Sequence, residues 1–199
     1  MVVAGQSIIL ASGSMMRKTV MDALMIPYTI VPADIDEKEK AILDGDSVAR
    51  AERLARAKAV AVADVHEGIV IAGDTFLVQD GVVLEKPATL GEARDMLMRL
   101  SGQRATVLTG FCYLDRENAI DVSDVVKITC TFREIETVEI NYYTTAFPVL
   151  SFAAAFSPTS PYGASLVATV TGSMTGFIYG LPVELLVPLL KKSGIGLHP

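Results

Sequence analysis

The strongest constraint on the fold of this chain lies near its start, where a short apolar run passes through small residues into a basic segment. The run Ile8–Leu10 predicts a buried strand, and Ser12 and Ser14 belong to a turn that leads to Arg17 and Lys18. A helix that begins here presents unpaired backbone N–H groups and the positive end of its dipole, which predicts an anion site. The alternative is that Ser14 only caps the helix and the two basic side chains are solvated.

Composition limits the classes of function that this segment can serve. The chain has 199 residues, of which 51% are hydrophobic and 20% charged, so it has the material for a well-filled core and is not a disordered protein. Its net charge of −6 argues against binding a nucleic acid polymer, which needs a basic face. A small anionic ligand is still compatible, because a local basic cluster can oppose the overall charge.

Targeting and redox signals point to the cytoplasm. No basic region precedes the first apolar run, so no secretory signal is expected. The most apolar later stretch, residues 146–156, contains Pro148 and is too short to cross a bilayer, so no membrane association is expected. Cys112 and Cys130 are too few for a disulfide framework or a structural zinc site.

Carboxylates follow two predicted strands. Residues 28–31 alternate as a strand and lead into an acidic segment that contains Glu37. Such a segment is either a solvated loop or a place to hold Mg²⁺. Residues 69–73 predict a second buried strand, which we expect to end at Asp74 and Thr75. A carboxylate at the end of an apolar strand suits a metal ion or an attacking water better than it suits packing.

Two lysines stand at defined positions. Ser47 is predicted to cap a helix that runs to about Val65, and Lys58 falls inside the apolar arc of that helix. Its ammonium group either reaches past the arc to water or points into a cleft towards an anion. Lys86 precedes Pro87, so its backbone is predicted to be extended.

The remaining elements follow from periodicity and turn chemistry. Asp80–Gly81 predicts a two-residue hairpin, and residues 89–92 form a capping box before a helix that ends near Gly102. The other predicted segments are helices at 15–25, 138–144 and from Pro182 onward, strands at 104–115, 123–133 and 166–170, and a loop at 146–161.

Together these groups suggest a reaction class. His66 and His198 have no predicted role, which disfavours a Ser-His-Asp or Cys-His mechanism, and neither a P-loop nor a GxGxxG motif is present. Serine hydroxyls and cations can orient a polyphosphate, while carboxylates hold Mg²⁺ and activate water. The residues therefore favour metal-assisted hydrolysis of a phosphoanhydride.

The chain resembles the Maf (septum formation protein) family of nucleoside triphosphate pyrophosphatases over nearly its whole length. No single motif decides this, but their order and spacing are specific. The motifs are ILASGSMMRK (9–18), DIDE (34–37), RLARAKA (53–59), AGDT (72–75), LEKP (84–87), LSGQ with VLTG (100–110) and GLP (180–182).

The resemblance implies an α/β fold similar to that of the inosine-triphosphate pyrophosphatases. It is an elongated mixed β-sheet flanked by helices, with two lobes and a central cleft, and residues 1–199 would form a single domain of this kind. The family cleaves a nucleoside triphosphate to the monophosphate and pyrophosphate with Mg²⁺ or Mn²⁺, which suggests a role in removing non-standard nucleotides. A homodimer is common in the family.

The resemblance also assigns roles residue by residue. The catalytic set is Asp74 as general base, Glu37, Lys58 and Lys86. Substrate and phosphate contacts fall to Ser12, Ser14, Arg17, Lys18 and Thr75, with Thr75 beside the position that influences base selectivity. Glu37 and Asp74 would hold the metal.

Two departures from the family pattern stand out. Met16 replaces an arginine of the usual Ser-Pro-Arg-Arg, and residues 151–163 lack the lysine and glutamine of a later family motif. The preferred base is therefore left open. Two alternatives follow: a nucleotide-binding regulator of cell division with weak or no hydrolysis, and a phosphatase that releases orthophosphate.

Overall fold

The computed structural model describes residues 6–37 and 46–197. Its described residues form an α/β fold around a mixed seven-stranded sheet with the order β2-β1-β3-β5-β6-β7, in which β4 pairs with β3. The strands are β1 Ile8–Leu10, β2 Thr29–Ile30, β3 Ile69–Gln79, β4 Val82–Leu84, β5 Arg104–Asp115, β6 Ile120–Phe132 and β7 Val167–Thr171. β1 is parallel to β2 and β3, whereas β4 is antiparallel to β3 and β7 to β6.

Seven described α-helices accompany the sheet. They are α1 Met15–Ala23, α2 Ser47–Ala63, α3 Leu90–Leu100, α4 Thr137–Ala146, α5 Pro161–Ser165, α6 Met174–Tyr179 and α7 Val183–Lys192. Within the described residues, none of the helices is long and apolar enough to cross a membrane.

The chain divides into two compact units. The first contains the described residues up to Thr75, residues 109–126 and those from Tyr179 onward, and the second contains residues 76–108 and 127–178. The expectation that residues 1–199 form a single domain stays a prediction.

In the first unit, side chains of β1, β3 and β5 alternate between two buried faces, as the period of a strand requires. One face packs on α1 and α7 and is called the α1/α7 face; the other packs on α2 and is called the α2 face. The α1/α7 face includes Leu10, Met21, Ile71, Phe111 and Leu186. The α2 face includes Ala11, Ala55, Val70, Ala72 and Cys112.

The second unit contains the β3–β4 hairpin, the helices α3, α4 and α5, and residues 174–178 of α6. Asp80 and Gly81 both have positive φ, as a tight two-residue hairpin turn requires. Helix α3 buries Ala93, Leu97 and Leu100, and its end is set by the left-handed Gly102, with a φ of +69°.

Most predicted elements are confirmed. The strand–turn–helix at the start, the hairpin, the two long strands, the helix near residue 140 and the last helix are all present. Cys112 and Cys130 are buried free cysteines, so the absence of a disulfide between them agrees with the expectation.

Several details of the predicted elements are wrong. The strand that begins at Ile69 does not end at Asp74, because its hydrogen-bonded ladder continues to Gln79. Asp46, not Ser47, caps α2 by accepting the N–H of Ala49, and that helix ends at Ala63 rather than Val65. The interval 146–161, predicted as loop, contains two short 3₁₀ turns, and α6 was not predicted.

The second unit contains an ion pair whose contribution to the stability of the protein depends on pH. Arg133 donates through both terminal nitrogens to the Glu139 carboxylate at 2.8 and 2.6 Å. These bonds, followed by the N–H of Glu136, lower the pKa of Glu139 from its ordinary 4.5 to about 2. Since the folded-state pKa is depressed, the stabilisation is present above pH 4.5 and is lost as the pH falls towards 2.

We therefore expect Glu139→Gln to lower the free energy of unfolding by about 1 kcal/mol at pH 7, since the pair is partly exposed. The difference from the parent protein should shrink as the pH falls through 4.5 towards 2. Urea unfolding at several pH values measures both. A difference that is constant with pH would contradict the assignment of the acid dependence to this pair.

Candidate active site

Two neighbouring side chains of β3 point to opposite faces of the sheet. Asp74 follows Val70 and Ala72 in the two-residue period and therefore belongs to the α2 face. Thr75 follows Ile69 and Ile71 and belongs to the α1/α7 face. Asp74 and Thr75 therefore face two different groups of residues, one on each side of the sheet.

On the α2 face, two carboxylates converge on one ammonium group. Lys58 Nζ lies 2.6 Å from Asp74 Oδ1 and 2.8 Å from Glu37 Oε1. The side chains of Lys58 and Asp74 are 13% and 16% exposed, whereas that of Glu37 is 56% exposed. Of the two positions considered for Lys58, the ammonium occupies the one directed at charged groups inside the fold rather than at bulk water.

Close packing of α2 on β5 sets the position of Lys58. Gly110 has no side chain, and a Cβ built there would lie 2.0 Å from the carbonyl oxygen of Ala51 and 3.3 Å from the Cβ of Ala55. Only glycine allows the backbones to approach so closely. Lys58 lies two turns further along the same helix, so the contact at Gly110 fixes its distance from Asp74.

We expect Gly110→Ala to force α2 away from the sheet. Overpacking of this kind lowers the free energy of unfolding by about 1–3 kcal/mol, and the displaced Lys58 should lower kcat as well. Thermal and urea unfolding measure the first effect.

Gly91→Ala is the matched control for this substitution. The added Cβ in α3 would meet only the Thr89 hydroxyl, at an ordinary 3.7 Å. It should leave stability unchanged or raise it by up to about 1 kcal/mol through helix propensity. Equal behaviour of the two variants would show that Gly110 does not position α2.

The turn before α1 has the hydrogen bonds of a helix N-terminus. Ser14 caps α1, its hydroxyl accepting from the backbone N–H of Arg17, and its own N–H donates to Ser12 Oγ at 3.3 Å. The capping alternative is thus observed for Ser14, which does not exclude anion binding by the same turn. Lys18 pairs with Asp22 one turn along the helix, and both side chains are well exposed.

Arg17 is buried, in contrast to its basic neighbour. Its Nε donates to the carbonyl oxygen of Gly180 at 2.8 Å, Nη1 to Ser12 Oγ at 2.8 Å and Nη2 to Thr75 Oγ1 at 3.2 Å. Thr75 Oγ1 also lies 3.2 Å from Thr109 Oγ1. The guanidinium group therefore connects the turn, β3 and the segment before α7 on the α1/α7 face.

The remaining predicted residue, Lys86, belongs to the second unit. It follows β4 in a segment without regular secondary structure and is exposed. Its predicted phosphate contact is untested and stays a prediction.

The Asp74 and Glu37 carboxylates would supply oxygen ligands of the kind that a magnesium or manganese ion takes. Both are drawn to a single cation, the ammonium of Lys58, which shows that a positive group is accepted between them. Within residues 6–37 and 46–197, no cluster of three or more His, Cys, Asp or Glu side chains is present that could hold a metal. Mg²⁺ ordinarily takes one or two carboxylates and completes its shell with phosphates and water.

Two participants were missed from the sequence. Thr109 was identified only as part of a strand and of the VLTG motif, and Gly180 only as part of the GLP motif. Gly180 carried a signal, because a glycine close before a proline is typical of a turn, and its φ of +64° agrees with that. No signal of this kind marks Thr109.

Comparison with known proteins places this arrangement in a family. The model of the Maf-like protein family matches residues 7–193. A dTTP/UTP pyrophosphatase of Myxococcus xanthus is 37% identical over 96% of this chain and 94% of its own length. A dTTP/UTP pyrophosphatase of Ruminiclostridium cellulolyticum is 32% identical over 94% of the chain and 96% of its length.

A 7-methyl-GTP pyrophosphatase of Pseudomonas putida is 34% identical over 94% of the chain and 97% of its own length. The range matched by the family model includes the turn before α1, Glu37, Lys58 and Asp74. The chain belongs to the Maf-like protein family.

Proposed function

We propose that this protein is a nucleoside triphosphate pyrophosphatase, a hydrolase that acts on the anhydride between the α- and β-phosphates. The observation that carries the proposal is the convergence of Asp74 and Glu37 on Lys58, with side chains of Lys58 and Asp74 that are mostly shielded from water. A binding module needs cations for a triphosphate but has little use for paired carboxylates, which repel it. Membership in a family with pyrophosphatases of two specificities supports the same reaction.

The substrate class is a nucleoside or deoxynucleoside triphosphate, and the first candidates come from the relatives. Those proteins are named for dTTP, UTP and 7-methyl-GTP. Met16 and the segment 151–163 depart from the family pattern, so a base outside this set is included among the candidates. We also propose that the protein hydrolyses non-standard nucleotides, that it does so in the cytoplasm and that it forms a homodimer.

The mechanism assigns a separate task to each residue. The N–H groups at the start of α1, with Ser12, Ser14 and Lys18, bind phosphate oxygens. Thr75 influences which nucleobase is accepted. Lys58 and Lys86 neutralise charge that develops on the phosphates. Asp74 accepts a proton from the attacking water at Oδ2, because Oδ1 faces the cation site that Lys58 occupies in the structure.

Glu37 and Asp74 would hold the divalent cation, which when bound lowers the charge on the phosphates and orients them for attack. One water is consumed, the α–β anhydride is broken, and the products are the monophosphate and pyrophosphate. Asp74 then releases its proton to solvent.

The test is a substrate screen with purified protein. Common and modified triphosphates, among them dTTP, UTP and 7-methyl-GTP, are incubated with Mg²⁺ or Mn²⁺, and the released anion is identified by ³¹P NMR. We expect pyrophosphate and a monophosphate in equal amounts, with no release after treatment with EDTA.

Other outcomes have defined meanings. Release of orthophosphate instead of pyrophosphate would make the protein a phosphatase. Tight binding of a triphosphate with no product over many hours would favour the regulatory alternative. Either result overturns the proposed reaction.

A further inference from the structure

The guanidinium group of Arg17 lies on the side of β3 opposite the carboxylates. Arg17 contacts Thr75, whose side chain belongs to the α1/α7 face, while Asp74 points to the α2 face with Lys58. Asp74, Lys58 and Glu37 thus lie on one face of the strand, and the guanidinium group lies on the other. Arg17 therefore supports β3 from the face opposite to the one that carries Asp74.

Three of its nitrogen atoms are already used by the protein, and each bond goes to a different segment. The acceptors are a carbonyl at Gly180, a hydroxyl in the turn at Ser12 and a hydroxyl of β3 at Thr75. Arg17 is only 8% exposed. A planar guanidinium suits such a task, because its donors leave in fixed directions and set the relative positions of their acceptors.

Two glycines provide the space for this group. A Cβ at Gly73 would lie 3.0 Å from Arg17 Nε, and a Cβ at Gly180 would lie 2.7 Å from Thr75 Oγ1 and 3.3 Å from Arg17 Nη2. Gly180 also has a φ of +64°, which L side chains rarely adopt. Gly73 directly precedes Asp74, so crowding at the arginine is transmitted to the backbone of the proposed base.

Electrostatics favours keeping this cation in place. Burial lowers the pKa of the Arg17 guanidinium, and the charges of Asp74 and Glu37 oppose that shift. A buried positive group without a carboxylate in direct contact is retained because carbonyl and hydroxyl dipoles and these two nearby charges offset its lost hydration.

We propose that Arg17 is a positioning residue that holds Ser12, β3 at Asp74–Thr75 and the Gly180 carbonyl in register, and does not itself bind a phosphate. The proposal rests on the proposed function, because it deepens the role of the same site. It replaces the phosphate contact that the family resemblance assigned to Arg17. Charge neutralisation at the turn then falls to Lys18 and the backbone N–H groups.

Direct observation of the Nε–H group in the unaltered protein separates the two roles. In ¹⁵N NMR spectra, a buried Nε–H bonded to a carbonyl gives a slowly exchanging cross-peak. We expect this peak to stay in place when the protein is saturated with Mg²⁺ and α,β-methylene-UTP, or with inorganic tripolyphosphate as a base-free probe. A large shift with either probe, together with loss of the bond to Gly180, would overturn the proposal.

Variants give an independent readout. Arg17→Lys keeps the positive charge but loses the planar guanidinium with its fixed donors. We expect kcat to fall roughly 100-fold, the loss expected when a catalytic group is displaced from its productive position. The Kd for α,β-methylene-UTP should change by less than about threefold, since no ground-state contact is removed. A Kd weakened by about tenfold or more would identify a phosphate ligand.

Two further variants complete the comparison. Gly180→Ala should reproduce the kcat loss of Arg17→Lys, because its Cβ would enter the space of Thr75 and Arg17. Lys18→Gln should weaken the Kd instead. If no triphosphate is hydrolysed by the parent protein, the proposed function fails, while the NMR measurement still decides the role of Arg17.

Discussion

Replacing Asp74 with asparagine is expected to lower kcat by roughly 10²–10⁴, the range for loss of a general base. Asparagine has the shape of aspartate and its oxygen can still accept from Lys58, but it cannot take a proton from water. The side chain is 16% exposed and its bond to Lys58 is 2.6 Å long, so the fold has a partner for the new amide oxygen. Pyrophosphate release at saturating substrate and thermal unfolding together measure the effect.

Asp95→Asn is the control for the loss of one negative charge. Asp95 is exposed on α3 in the second unit, and its replacement should leave kcat within about twofold, as surface changes do. If Asp74→Asn retained full activity and stayed folded, Asp74 would not be the base. If it lost activity only by unfolding, the assignment would also lack support.

The extent of β3 shows what periodicity can and cannot predict. Residues 69–73 predict a strand and Asp80–Gly81 a hairpin, but the polar pair Asp74–Thr75 was interpreted as the end of the first strand. The strand is continuous to Gln79, because Asp74 meets an ammonium and Thr75 a guanidinium in place of water. Sequence patterns give no account of partners that come from helices tens of residues away.

The same limit explains the other differences at the site. The position of Lys58 within an apolar arc was visible from the sequence, but its two partners were not, since Glu37 and Asp74 converge only in three dimensions. Arg17 was placed correctly at the start of a helix, yet its burial depends on two distant glycines. The cap of α2 was misplaced by one residue because Asp46 and Ser47 are both good N-cap residues.

Replacing Lys58 with methionine is expected to change two measurable quantities in opposite directions. Because the ammonium no longer neutralises charge on the phosphates, kcat should fall by roughly 10²–10³, as for loss of one preorganised donor. Affinity for Mn²⁺ without nucleotide should rise about tenfold or more, since a unit charge near two carboxylates no longer repels the ion. The free Mn²⁺ signal in EPR titrations measures the second quantity without any turnover.

Lys192→Met is the matched control, because Lys192 is exposed at the end of α7 and lies in its last turn. It should alter neither quantity.

The opposite signs expected for Lys58→Met follow from its geometry: Nζ lies 2.6 and 2.8 Å from the same carboxylate oxygens that a metal ion would use. An ammonium and a metal ion cannot both occupy that space, so the lysine would have to move towards the phosphates if metal and substrate bind together. Weaker Mn²⁺ binding by the variant would mean that Lys58 holds the two carboxylates together rather than competing for them.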